Sequence, residues 1–261
     1  MRLLGFRGAA LGLSLVMAPM FAAPPAVAAE FSAEQRQAIE TIVRDYLLRN
    51  PEVMIEVLEA AKEKIAGEAQ AQRVAALAER WQEIFEDPNA PVAGNPKGDV
   101  TLVEFFDYRC PYCKQVAPAI EALLAEDKQL RVVYKEFPVL GPESVTAARA
   151  ALAAGKQGKY EALHRALMQM KGQINETAIF NAAKSAGIDV ERLKRDMNAP
   201  EIDRMLQANQ QLAMALDIRG TPAFIVGDEI VPGAVSADAL RQLIATARQE
   251  KEKGQSGKRS N

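Results

Sequence analysis

Cys110 and Cys113 are the only cysteines among 261 residues, and only Pro111 and Tyr112 separate them. They follow the apolar run Val100 to Phe106, so a strand ends where a helix is expected to begin. The first turn of a helix has unpaired N–H groups and the positive end of its dipole, which favour thiolate over thiol at Cys110. Thiolate is the nucleophilic form of cysteine. A bond between residues i and i+3 closes almost no loop and constrains the unfolded chain little, so the pair reads as redox chemistry rather than a staple. Pro111 restrains the turn and brings no donor, which leaves the amides of Tyr112 and Cys113 to face the sulfur.

Two more residues bear on that site. Glu104 is an acid in an otherwise apolar strand, costly to bury unless it handles a proton or meets a cation, and Lys135 on the next strand is the expected partner. His164 is the sole histidine, in a helical run, and reads as structural or surface. A zinc site of Cys110, Cys113 and His164 lacks a fourth ligand, so no metal is assigned. Met168, Met170 and Met197 read as core filling.

The elements that must hold these residues follow from periodicity. A short strand near Pro91 to Gly94 precedes Val100 to Asp107; a helix from about Cys113 to Glu126 leads to a strand over Leu130 to Phe137. Strand, helix, strand in that order implies a parallel pair with a right-handed crossover. Helices are expected at Val145 to Gly155, Tyr160 to Met170, Thr177 to Ala186, Val190 to Met197 and Glu201 to Leu216. Strand character returns at Ala223 to Val226, turns at Gly227-Asp228, pairs through Ile230-Val231, and gives way to a helix over Ala237 to Glu250. The pattern is an α/β core with a helical insert.

Upstream lies a different composition. Arg2 and Arg7, the apolar stretch Ala9 to Met17 and the small residues Ala26 to Ala29 read as a cleaved secretory signal, 1–29. Its removal leaves 30 basic against 34 acidic residues, a net −4, which gives no surface for nucleic acid. Ser32 with Gln35 forms a capping box for an amphipathic helix, and Asn50-Pro51 stops it and starts a second. The apolar stripe of the second helix fails through Gly67 to Arg73, as in an association module with a helical or flexible connector, 30–86. The catalytic domain is expected over 87–142 and 217–250, the insert over 143–216, and a flexible tail over 251–261.

Cys-x-x-Cys at a helix start, the parallel strand pair, and Thr221-Pro222 just before a returning strand together resemble the thioredoxin superfamily, and the helical insert narrows this to its DsbA-like branch. The resemblance runs from about Val100 to Glu250, with Glu104 to Cys110 aligned to that branch's strand and active-site entry. It implies a thioredoxin fold with an inserted helical domain, Cys110 as the exposed attacking sulfur, Cys113 as the resolving one, and Glu104 as a buried proton-handling acid. It also implies a cis-proline loop at Thr221-Pro222 that binds substrate backbone.

Tyr112 between the cysteines and Thr221 before the proline depart from strong DsbA oxidants and resemble disulfide isomerases of the DsbC and DsbG kind and the ScsC proteins. An imidazolium at position 112 would stabilise the reduced form and strengthen oxidation, and tyrosine cannot do this. The resemblance therefore implies a periplasmic disulfide isomerase or reductase without a cofactor. It would act on exported cysteine-containing proteins, exchange electrons with a membrane or periplasmic redox partner, and associate into a homo-oligomer through residues 32–66. Alternatives are a monomeric DsbA-like dithiol oxidase, a Cu(I)-handling thiol protein and a holdase chaperone.

Overall fold

The computed structural model describes residues 31–259; the expected signal at 1–29 lies outside them. The chain divides into two compact units, to Lys62 and from Glu63.

In the first unit, helix α1 (Ala33–Arg49) starts at the expected capping box. Gln35 N–H donates to Ser32 Oγ at 3.2 Å, and Ser32 N–H donates to Gln35 Oε1 at 2.9 Å. Asn50 ends α1 and Pro51 opens α2 (Pro51–Glu79), where its missing donor costs nothing. No residue of α1 is buried.

Helix α2 is unbroken through Gly67 to Arg73, because Glu, Ala, Gln and Arg are good helix formers that absorb the one glycine. Its last turns belong to the second unit, where Leu77 is buried. Helix α3 (Trp81–Phe85) follows, with Ile84 and Phe85 buried beside it in one cluster. The core of the catalytic unit thus begins upstream of the expected Asp87 boundary, since these side chains cover one face of the sheet.

That sheet contains β1 (Val92–Gly94), β2 (Val100–Phe106), β3 (Leu130–Glu136), β4 (Ala223–Val226) and β5 (Glu229–Pro232), in the order β1-β3-β2-β4-β5. Strands β2 and β3 are parallel across helix α4 (Pro111–Glu126), and β4 runs antiparallel to both β2 and β5. Gly94 sits at φ +76°, where a Cβ would collide with the Leu130 carbonyl, so only glycine fits this close approach of β1.

Side chains alternate across the sheet. Leu102, Phe106, Val132 and Tyr134 face a core shared with α4 and the inserted helices; Val103, Phe105, Val133 and Ile225 face the opposite core with Leu77 and Phe85. The insert comprises α5 (Pro142–Gly155), α6 (Tyr160–Gln169), α7 (Glu176–Ser185), α8 (Val190–Asp196) and α9 (Pro200–Ala215). Helix α9 serves both faces: Ile202 packs in the first core, Leu212 and Ala213 in the second. The final helix, α10 (Ala237–Arg259), outruns the expected end at Glu250. Arg248 anchors it with 2.8 and 2.7 Å bonds to Asp99, and Lys251 donates to the Asp99 carbonyl at 2.6 Å.

Candidate active site

Cys110 is the N-cap residue of α4, in extended conformation with no side-chain cap, and its carbonyl accepts the Lys114 N–H at 3.2 Å as the helix begins. Pro111 occupies the first helical position, where its missing donor costs nothing, so the helix starts two residues before the Cys113 boundary read from periodicity. The Cys110 thiol donates to the carbonyl oxygen of Thr221 at 3.2 Å, and the Thr221-Pro222 peptide bond is cis. The dithiol and the returning loop therefore meet, as the resemblance implied. Both thiols are free. Both cysteines are buried, Cys113 completely and Cys110 with 4 % of its surface exposed, so the expected exposed position of Cys110 is not met in the reduced structure, and Cys110 is only the less buried of the two. Tyr112 between them is 60 % exposed. Burial pushes the Cys113 thiol well up, and the charge of Glu104 adds to the rise.

Glu104 is buried on the same sheet face, opposite Tyr134 of β3 and Phe224 of β4. Its Oε1 has no hydrogen-bond partner, and burial pushes its carboxyl up to about 8. A carboxyl that titrates near neutrality can take and return a proton at working pH.

Lys135 does not meet Glu104. In the register of β2 and β3, Glu104 lies opposite Tyr134 and Lys135 opposite Phe105, so the two side chains leave opposite faces of the sheet. Lys135 Nζ instead donates at 2.8 Å to Asp87 Oδ2 and at 2.8 Å to the Glu83 carbonyl. It is a buried structural cation under the second core.

Two further groups escaped the sequence reading. The carboxylate of Asp107 accepts Arg109 N–H at 2.7 Å, Ser144 Oγ–H at 2.8 Å, Val139 N–H at 2.8 Å and Leu140 N–H at 3.0 Å. It ties the turn entering the dithiol to the loop before α5, and Arg109 closes the same link by donating to the Leu140 carbonyl at 2.6 Å. Behind it, Glu136 Oε1 accepts the hydroxyls of Tyr108 and Tyr160, both at 2.9 Å. The Tyr108 oxygen is also 3.1 Å from His164 Nδ1. His164 is buried among Phe106, Tyr134 and Tyr160, and burial pushes its imidazole down to about 3. Of the two expected placements for His164, the structural one is correct and the surface one is not. Glu136, the one acid of β3, could have been suspected as a second strand acid after Glu104, on the face of Tyr134; its tyrosine partners come from separate elements and leave no local pattern.

Comparison with known proteins matches this geometry. Residues 101–245 match the family described as DSBA-like thioredoxin domain, and residues 35–66 match the Copper resistance protein ScsC N-terminal domain. A thioredoxin-like oxidoreductase from Silicibacter pomeroyi DSS-3 is 50 % identical, with a TM-score of 0.63 over 64 % of this chain and 97 % of that one. Proteus mirabilis ScsC in a transitional conformation is 32 % identical, with a TM-score of 0.63 over 84 % of this chain and 98 % of that one. A periplasmic thioredoxin-like protein from Salmonella enterica serovar Typhimurium is 34 % identical, with a TM-score of 0.59 over 64 % of this chain and 95 % of that one.

Among curated relatives, Na(+)/H(+) antiporter NhaA 1 of Salinispora arenicola is 28 % identical over 60 % of this chain, and the chain spans about a quarter of that protein, 24 %. No helix among the described residues is long and apolar enough to cross a membrane. Across more than half its length the chain belongs to the DsbA-like thioredoxin family, and a domain of the ScsC N-terminal type precedes its dithiol.

Proposed function

We propose that this protein is a periplasmic thiol-disulfide oxidoreductase that isomerises or reduces wrong disulfides in exported proteins. The observation that carries the reading is the 3.2 Å contact between Cys110 Sγ and the Thr221 carbonyl, which puts the reactive sulfur beside backbone that can pair with an extended substrate segment.

In the isomerase cycle the Cys110 thiolate attacks a substrate disulfide, and a mixed disulfide forms as one substrate sulfur leaves as thiolate. A different substrate thiolate then attacks that mixed disulfide, which frees Cys110 and closes a new substrate bond. In the reductive branch Cys113 gives up its proton to Glu104 and attacks the Cys110 sulfur instead. The Cys110–Cys113 bond closes, the second substrate thiolate leaves, and a membrane or periplasmic redox partner must then reduce the pair.

Isomerase over oxidase is supported by Tyr112, which offers no cation to hold the thiolate, and by the N-terminal unit. There Ile39, Ile42, Val43, Tyr46, Met54 and Leu58 are each at least 43 % exposed. Apolar surface in that quantity on two helices calls for a partner, and a second copy of the same unit supplies a matching face. Association would present several dithiols to one substrate and raise their effective concentration.

Reactivation of a protein with scrambled disulfides tests this reading, measured for the full chain and for a chain starting at Glu63. A full-length oligomer that reactivates, beside a shortened monomer that only oxidises, is the expected result. Monomers of both lengths that only oxidise would leave the DsbA-like oxidase as the better account.

A second reading rests on the description of the 35–66 match as part of a copper resistance protein. Two adjacent thiolates suit soft Cu(I). Cu(I) that blocks alkylation of both cysteines at equimolar amounts would support it.

A further inference from the structure

Besides touching Cys110, the Thr221 loop walls a groove of 310 Å³. Ile218 before the loop and Ile230 of β5 give the groove apolar walls, and Arg73 of α2 joins them, within the same compact unit. The charged residues that line the groove are Arg73, Asp217 and Arg219. Arg219 Nε donates to Asp217 Oδ1 at 2.7 Å, so those two offset each other. Arg73 is exposed and makes no hydrogen bond or ion pair among the described residues. The positions three and four away on α2 hold Ala69, Gln70, Ala76 and Leu77, none of which can neutralise it. Leu77, one turn along on the same helix face, is buried in one cluster with Ile218 and Ala223 of the groove, which holds this stretch of α2 beside the loop. One uncompensated guanidinium thus stands at the groove in a chain of formal net charge −2.

The backbone of the loop is unmatched as well. Among the described residues the N–H groups of Arg219, Gly220 and Thr221 have no acceptor, and the Thr221 carbonyl accepts only the Cys110 thiol. A mixed disulfide at Cys110 has no S–H, so its formation frees that carbonyl for another donor. Main-chain donors and an acceptor left open in one short stretch are the groups that an extended polypeptide satisfies, which a small anion at Arg73 would not.

We propose that Arg73, carried by the helix that leads into the catalytic unit, is a specificity-determining residue: it selects substrate segments with an Asp or Glu within a few residues of the reacting cysteine. The inference rests on the thiol-exchange reading and names a substrate class for it. The segment pairs its main chain with Arg219 to Thr221, sets an apolar side chain against Ile218 and Ile230, and directs its carboxylate to Arg73. Helix α2 then does more than connect the N-terminal unit to the sheet, because it completes one wall of the substrate groove.

The test uses the full chain with Cys113→Ala and a set of disulfide-bonded peptides that differ only in a Glu or a Lys at each position near the cysteine, on either side. The rate of adduct formation at Cys110 is measured for each peptide. At the best position the Glu peptide should react about three- to five-fold faster than its Lys counterpart, the range of an exposed ion pair. The ratio should fall towards one in about 1 M salt. Arg73→Glu should reverse the preference, and since Arg73 is exposed and unpaired the variant keeps every contact of the fold. Lys97→Glu makes the same change in net charge before β2, at the strand end opposite the dithiol, and should leave the ratio as in wild type. Equal rates for all peptides overturn the proposal, as a groove filled by a second copy of the chain would produce. A preference that Arg73→Glu leaves in place, or that Lys97→Glu reverses equally, overturns it too. Absence of an adduct with every peptide would instead overturn the exchange reading and the proposal with it.

Discussion

Cys110 Sγ and the carbonyl oxygen of Thr221 stand 3.2 Å apart although 111 positions separate them in the chain. The contact exists because β4 pairs antiparallel with β2 and brings its preceding loop to the strand end from which α4 departs. It sets Cys110, the less buried of the two cysteines, against the loop to which the proposed function assigns substrate binding. In the reduced protein, brief treatment with iodoacetamide should modify Cys110 and spare Cys113, which has no exposed surface and a thiol raised by burial. Peptide mapping by mass spectrometry reads the order, and equal labelling of both would show that the pair opens more than the structure does.

Glu104 carries a pH signature. Its folded carboxyl titrates near 8 against an ordinary 4.5, so the stability it allows is fully present below about pH 4.5 and is lost as pH rises through about 8. Glu104→Gln, a neutral isostere, should therefore gain stability over wild type as pH rises from 5 to 8, by roughly 3–5 kcal/mol at the upper end. Denaturant unfolding at several pH values measures it, and a flat difference would show that Glu104 is solvated.

His164 works in the opposite sense. Its folded imidazole titrates near 3 against an ordinary 6.5, so the stability of the neutral buried ring is present above about pH 6.5 and lost as pH falls towards 3. His164→Gln should flatten the acid limb of the stability profile while the alkaline limb set by Glu104 remains. Thermal melts from pH 4 to 8 would show the change.

Asp107 accepts four hydrogen bonds, three of them from backbone N–H groups. Asp107→Asn turns one acceptor into a donor facing those donors and should cost about 2–4 kcal/mol. Exchange at Cys110 should slow as well, because the turn that enters the dithiol loses its tie to the Val139-Leu140 loop. Unfolding and peptide-disulfide kinetics on one sample report both effects.

Lys135 is expected to matter for the fold and not for the chemistry. Lys135→Met removes the donor to Asp87 and to the Glu83 carbonyl on the sheet face away from Glu104. It should lower stability by roughly 1–3 kcal/mol and leave the exchange rate within about two-fold of wild type. A large loss of rate with stability intact would reinstate Lys135 as active-site support.

The sequence showed some of these features and concealed others for definable reasons. The dithiol, its helix start, the Thr221-Pro222 loop and the Ser32 capping box are local patterns, and the structure has each where its residues point. The partner of Lys135 was not local. Alternation puts every second residue of a strand on one face, and a shift of one position between Glu104 and Lys135 in the paired register separates them completely. The tie at Asp107 draws on residues 109, 139, 140 and 144, and the Glu136 cluster on Tyr108, Tyr160 and His164. Only the folding of the insert onto the sheet brings such groups together. The connector over Gly67 to Arg73, left open between helical and flexible, is helical, since helix propensity sustains the backbone where the apolar stripe lapses.

Trapping the mixed disulfide tests the exchange reaction most directly. A Cys113→Ala chain mixed with a disulfide-bonded peptide and quenched in acid should accumulate a covalent adduct mapped to Cys110, while wild type passes through the adduct and releases peptide. An adduct that never forms, or one mapped to Cys113 in a Cys110→Ala chain at a comparable rate, would contradict the assignment of Cys110 as the attacking sulfur.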